Sequence, residues 1–136
     1  MVPVSDTTQG APYAAARDCI LVVEDEFLIR MIVSDELRDA DYDVIEACNA
    51  DEALVILKSP VPVCLIISDV RMPGSMDGLG LLAEVRAVSP TLPVIITSGH
   101  LEPRLAIADG ATRFLGKPYA LDAIIGAVRE ELAKAT

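Results

Sequence analysis

The chain has 136 residues, a formal net charge of −10, 52% apolar residues and 24% charged residues. That is about one domain of ordinary globular composition, and the apolar content excludes disorder over most of its length. The acidic balance disfavours direct binding to nucleic acid or anionic lipid, and no apolar stretch approaches the roughly 20 residues of a membrane span.

Residues 1–17 carry Pro3, Gly10 and Pro12 among small side chains without a period. They read as a flexible tail ahead of one domain at 18–136. The tail has neither the basic start nor the apolar block of a secretory signal. From Cys19 to Val23 the chain is continuously apolar, as in a strand buried on both faces. The acidic triplet Glu24-Asp25-Glu26 ends it. Phe27, Leu28, Met31, Ile32 and Leu37 then recur at helical spacing, with carboxylates near the helix's positive N-terminal end.

The alternation repeats. Asp43 to Ala47 is a short strand, and Asn49 precedes a helix over Ala50 to Leu57 that Pro60 and Pro62 cut off. Val63 to Ile67 is the most apolar strand and ends at Ser68-Asp69. A turn-rich segment over Met72 to Gly78 leads to a helix over Leu79 to Val88. Pro93 to Thr97 is a strand ending at Ser98-Gly99-His100. A weak helix runs from about Leu101 to Asp109. Thr112 to Leu115 is the last strand and Leu121 to Ala133 the last helix.

Five strands alternating with five helices argue for an α/β layer fold with a parallel sheet covered on both faces. Functional groups of such sheets gather at the carboxyl ends of the strands. Glu24 and Asp25, Asp69, Ser98 and Lys117 all stand at those ends. Crowded carboxylates repel, and a hard divalent cation such as Mg²⁺ relieves the repulsion. With a nearby ammonium and hydroxyl, the set suits phosphoryl transfer to a carboxylate. Cys19, Cys48 and Cys64 form no CxxC and read as free thiols of a reducing, cytoplasmic compartment. His100 is the single histidine, which excludes a multi-histidine metal site.

Four segments in order, Val22 to Glu26, Ile67 to Pro73, Pro93 to Gly99 and Phe114 to Tyr119, resemble the receiver domain of bacterial response regulators. The likeness covers about Cys19 to Lys134. It implies a flavodoxin-like, doubly wound, five-stranded parallel sheet of order 2-1-3-4-5. It also implies that Asp69 accepts a phosphoryl group from a histidine kinase or phosphotransfer protein. By resemblance, Glu24 and Asp25 hold Mg²⁺ with Asp69, and Arg71 adds a backbone carbonyl. Lys117 contacts the phosphoryl group, Ser98 moves towards it, and Phe114 swings inward. The protein would then be no enzyme in the ordinary sense, but a phospho-acceptor assisting its own phosphorylation and dephosphorylation. The altered surface would meet a downstream protein that the sequence does not name, and a dimer is left open.

The chain departs from the family in three places. One extra residue stands near Ser75. The stretch from Ser98 to Lys117 is about one helical turn short and holds Pro103, so a shortened or irregular fourth helix is expected. Arg71 and His100 occupy positions that flank the phosphoryl group, where they are expected to alter its lifetime. The chain ends at Thr136, just past the last helix. The expectation is a stand-alone receiver, a relay intermediate or a receiver segment of a hybrid kinase. Two rivals remain: an interaction module that signals without phosphorylation, and a Mg²⁺-dependent phosphatase or phosphotransferase acting on small molecules. The commonest motif of the latter needs an acid where Arg71 stands. Gly78 to Ala83 matches GxGxxA but follows no strand directly, and Ser98 with His100 lacks a GxSxG elbow.

Overall fold

The computed structural model describes residues 17–99, 107 and 109–134. Along the chain run β1 (Cys19–Val23), α1 (Phe27–Asp39), β2 (Asp43–Ala47), α2 (Ala50–Leu57), β3 (Val63–Asp69), α3 (Gly78–Val88), β4 (Val94–Ser98), β5 (Arg113–Gly116) and α4 (Leu121–Lys134). All strand pairs are parallel, in the order β2-β1-β3-β4-β5. This is the flavodoxin-like order expected of the chain. The tail before Arg17 and most of the segment between β4 and β5, including His100 and Pro103, lie outside the described residues.

The continuous apolar runs follow from burial on both faces of the sheet. Leu21, Val23, Ile66, Val94 and Ile96 point to one side, where Ala50 and Ala53 of α2 and Leu81, Leu82 and Val85 of α3 cover them. Ile20, Val22, Leu65, Ile67 and Ile95 point to the other, against Val33 and Leu37 of α1 and Ile124, Ile125 and Val128 of α4. Alternate residues of one strand thus feed two cores, so neither face of β1, nor of Val63 to Ile67 in β3, tolerates unpaired charge. β2 lies at an edge, and its exposed Asp43 and half-buried Glu46 suit that place.

The sequence boundaries shift by a residue or two. β3 runs through Ser68 and Asp69, because the ladder to β4 continues to the pair Asp69 and Thr97. β4 starts at Val94 and β5 at Arg113. Ahead of β5, Thr112 clasps Val94, its N–H donating to the Val94 carbonyl at 2.8 Å and its Oγ1 accepting from the Val94 N–H at 3.0 Å. Asn49 caps α2 by accepting from the Glu52 N–H at 2.8 Å, and Asp77 caps α3 by accepting from the Gly80 N–H at 2.9 Å. Arg86 of α3 ties down the entries to β4 and β5. It donates to the carbonyls of Leu92 and Gly110, both at 2.7 Å, and to Thr112 Oγ1 at 3.2 Å.

One close approach fixes the end of β3. A Cβ on Gly78 would lie 2.1 Å from the Asp69 carbonyl oxygen, while the Gly78 N–H donates to the Val70 carbonyl at 2.8 Å. Gly78→Ala must therefore displace backbone, and denaturant unfolding should show a loss of at least ~2 kcal/mol. Gly126→Ala in α4 meets nothing within 4 Å. It should instead add about 0.5–1 kcal/mol by restricting the unfolded chain.

Candidate functional site

Strand register assembles the site. Val23 pairs with Ser68, Asp69 with Thr97, and Ser98 with Gly116. The residues just beyond these pairs, Glu24, Asp69 and Lys117, therefore meet at one edge of the sheet. Lys117 Nζ lies 3.1 Å from Asp69 Oδ2 and 3.2 Å from Glu24 Oε1. The Lys117 N–H donates to the Ser98 carbonyl at 2.9 Å, and the Lys117–Pro118 peptide is cis.

Asp69 is held on three sides. Its Oδ1 accepts from the Val70 N–H at 2.8 Å, its carbonyl accepts from the buried Ser68 hydroxyl at 2.9 Å, and Gly78 closes on that carbonyl from outside. Glu24 is buried and its Oε2 accepts from the Glu26 N–H at 3.1 Å. Burial pushes the Glu24 carboxyl above its ordinary range, and the Asp69 charge adds to this. The Glu26 N–H and the Lys117 ammonium pull the other way but are outweighed. Burial also opposes the charge on Lys117, yet the Asp69 and Glu24 carboxylates win and hold the ammonium above its usual range. Burial raises the Tyr119 phenol behind them.

One oxygen each of Glu24, Asp25 and Asp69 lies within 4.8 Å of the others. Asp25 is exposed while its partners are buried. An all-oxygen set open to water on one side fits a hard divalent cation that keeps part of its hydration. Asp25, Glu26, Asp69, Arg71, Ser98, Gly99 and Lys117 line a cleft of about 400 Å³ over this set. Ser98 is buried and Arg71 exposed at its wall. Phe114 lies apart from the cleft, half-buried against the core beneath α2 and α3. The three cysteines are free, with Cys19 buried and Cys48 and Cys64 half-buried.

A model of the response regulator receiver domain matches residues 20–129. The chain belongs to this family. It is 35% identical over 118 residues to the C4-dicarboxylate transport transcriptional regulatory protein DctD of Rhizobium meliloti, an alignment covering 85% of this chain and 25% of that protein. It is also 35% identical to the DNA-binding transcriptional regulator NtrC of Salmonella typhimurium, covering 86% of this chain and 25% of that one. The chain thus spans about a quarter of the length of these curated relatives. The receiver domain of NtrX from Brucella abortus superposes with a TM-score of 0.78 at 37% identity, covering 84% of this chain and 98% of that one. This receiver is accordingly a phosphoryl-accepting signalling domain of two-component systems. Among the described residues no helix is long and apolar enough to cross a membrane.

Sequence reasoning missed several residues that shape the site. Ser68 precedes Asp69 and reads as the end of the strand; Gly78 reads as turn; Arg30 reads as the polar face of α1. Only Gly78 carried a signal, a glycine opening a helix where a backbone approaches closely.

The buried acidic pair makes a stability prediction. Because the folded state holds the Glu24 proton more tightly than the unfolded chain, ionising it costs stability as pH rises from acid. Glu24→Gln should therefore melt higher than the parent at pH 7 without divalent metal, by a few degrees. The gap should close in acid, once the Glu24 carboxyl carries its proton in the folded and the unfolded chain alike.

Proposed function

We propose that Asp69 is the phosphoryl acceptor, fed by a histidine kinase or phosphotransfer protein with Mg²⁺ as cofactor. The observation that carries this reading is the convergence of Glu24 and Asp69 at 3.2 and 3.1 Å on the single ammonium of Lys117. The Asp69 carboxylate attacks phosphorus, a P–O bond forms, and the P–N bond to the donor imidazole breaks. The imidazole leaves with its electron pair and takes up a proton. Lys117 neutralises negative charge on the transferring oxygens. Val70 N–H and Ser68 Oγ keep the carboxylate and its backbone from turning away. Glu24, Asp25, Asp69 and the Arg71 carbonyl would hold Mg²⁺, which supplies further charge neutralisation on the phosphoryl oxygens when bound.

Once formed, the acyl phosphate offers new acceptor oxygens beside Ser98. The Ser98 hydroxyl moves to donate to them, and Phe114 turns inward, changing the surface around β5. A protein donor is supported by what borders the cleft. Phe27, Leu28 and Ile32 are 61%, 63% and 46% exposed on α1. Beside them Ile29, Ile32, Val33, Pro118, Tyr119 and Leu121 line an apolar groove of about 380 Å³ that also reaches Lys117. A cytoplasmic, protein-directed role fits this reading.

Incubation with acetyl phosphate and Mg²⁺, followed by intact mass, should add one phosphoryl group to the parent and none to Asp69→Asn. Unmodified parent protein would favour an interaction module that signals without phosphorylation. Ile32→Asp should slow transfer from a phosphorylated histidine kinase at least ~10-fold, by disrupting an apolar anchor, while leaving the acetyl phosphate reaction unchanged. Arg71→Ala and His100→Ala should each change the rate at which label leaves the phosphorylated protein; unchanged half-lives would remove both residues from the lifetime reading.

A further inference from the structure

We infer that Arg30 is a positioning residue for the acidic pair, clamping the Glu24 main chain while Glu46 neutralises the clamp's charge. The inference rests on the Mg²⁺ reading above. Arg30 Nη1 donates to the Glu24 carbonyl at 2.8 Å, and Nε donates to Glu46 Oε1 at 3.2 Å. The guanidinium lies 5.5 Å from the Phe27 ring centroid, and the side chain is only 15% exposed. Glu46 is itself pinned from the other side by Arg38 Nη2 at 3.2 Å.

The Glu24 carbonyl and the Asp25 nitrogen share one peptide plane, so a guanidinium that fixes the first sets the direction from which Asp25 departs. The turn has few other restraints. The Glu24 N–H donates to Ala47 O at 3.0 Å, before the turn begins. Glu26, at the N-terminus of α1, has no side-chain capping bond. The Glu26 N–H instead leans on Glu24 Oε2, an oxygen that a bound cation would compete for. The Arg30 bond uses only the main-chain carbonyl and survives when the carboxylate is taken.

A guanidinium bonded to the Glu24 carbonyl, beside the acidic set, would by itself repel a dication. Glu46 offsets that charge from the adjacent strand, so the fork can hold the turn without weakening the site. A lysine in its place has one compact ammonium and cannot span Glu24 and Glu46 together.

Calorimetric titration of the unphosphorylated chain with Mg²⁺ tests this, alongside melting without metal. Arg30→Ala should weaken Mg²⁺ binding about 10-fold, as is usual for loss of a group that orients a metal ligand. Arg30→Lys should fall between that variant and the parent. Glu46→Gln should weaken binding at low ionic strength, with the deficit shrinking in high salt as the uncovered charge is screened. Lower melting temperatures with parental Mg²⁺ affinity in all three variants would overturn the inference and leave Arg30 a stabilising residue only. If Arg30→Ala does not fold, the lysine and Glu46 variants decide the matter alone. A parent that binds no Mg²⁺ would overturn the metal reading itself, and with it this one.

Discussion

One ammonium lets two buried carboxylates stand side by side. Without Lys117, the buried Glu24 and Asp69 carboxylates would face each other with no cation between them and repel. With it, both face a shared cation at 3.1 to 3.2 Å. The arrangement depends on the whole sheet. Lys117 comes from the end of β5, Asp69 from β3 and Glu24 from β1, and β4 must lie between β3 and β5 in register for the three to meet. A slip of one residue in any ladder would turn every side chain of that strand to the wrong face.

The strands were legible because burial on both faces leaves no alternation to misread: Cys19 to Val23 and Val63 to Ile67 are apolar at every position. Their carboxyl ends were legible because charge cannot enter such a strand, so Glu24 and Lys117 mark where the core stops. β3 ran on past that signal. Ser68 and Asp69 are buried polar residues inside the ladder, stabilised by the Ser68 hydroxyl bond and the Val70 N–H, and composition cannot announce such partners. The clamping residues were hidden for a related reason. Arg30 and Arg86 look like solvated helix charges in the sequence, yet their forks reach main-chain carbonyls on neighbouring segments. Which carbonyl an arginine finds is decided by tertiary packing, not by its spacing along a helix.

The two ends of the sheet divide the labour of stability and chemistry. Towards its amino end the sheet is closed by apolar contacts and by the Arg86 fork, whose charge is partly buried and held below its usual range for that reason. At its carboxyl end the restraints are hydrogen bonds to main chain: Ser68 to Asp69, Gly78 to Val70, Lys117 to Ser98 and Arg30 to Glu24. The carboxylates and the ammonium, by contrast, meet through side-chain contacts, Lys117 to Glu24 and Asp69. A main-chain frame of this kind keeps the site's side chains in place while their own contacts change.

The same register supplies a route from the acceptor to the outer strand. Ile96 pairs with Phe114 and Ser98 with Gly116, so a displacement at Ser98 is felt two positions along β4 by the neighbour of Phe114. The Phe114 ring also lies against Gly116, where a Cβ would sit 3.7 Å from the ring. Side-chain bulk at Gly116 would restrict the ring directly. The aromatic is half-buried rather than enclosed by the core, so the inward turn proposed for Phe114 would start from a ring that still meets solvent.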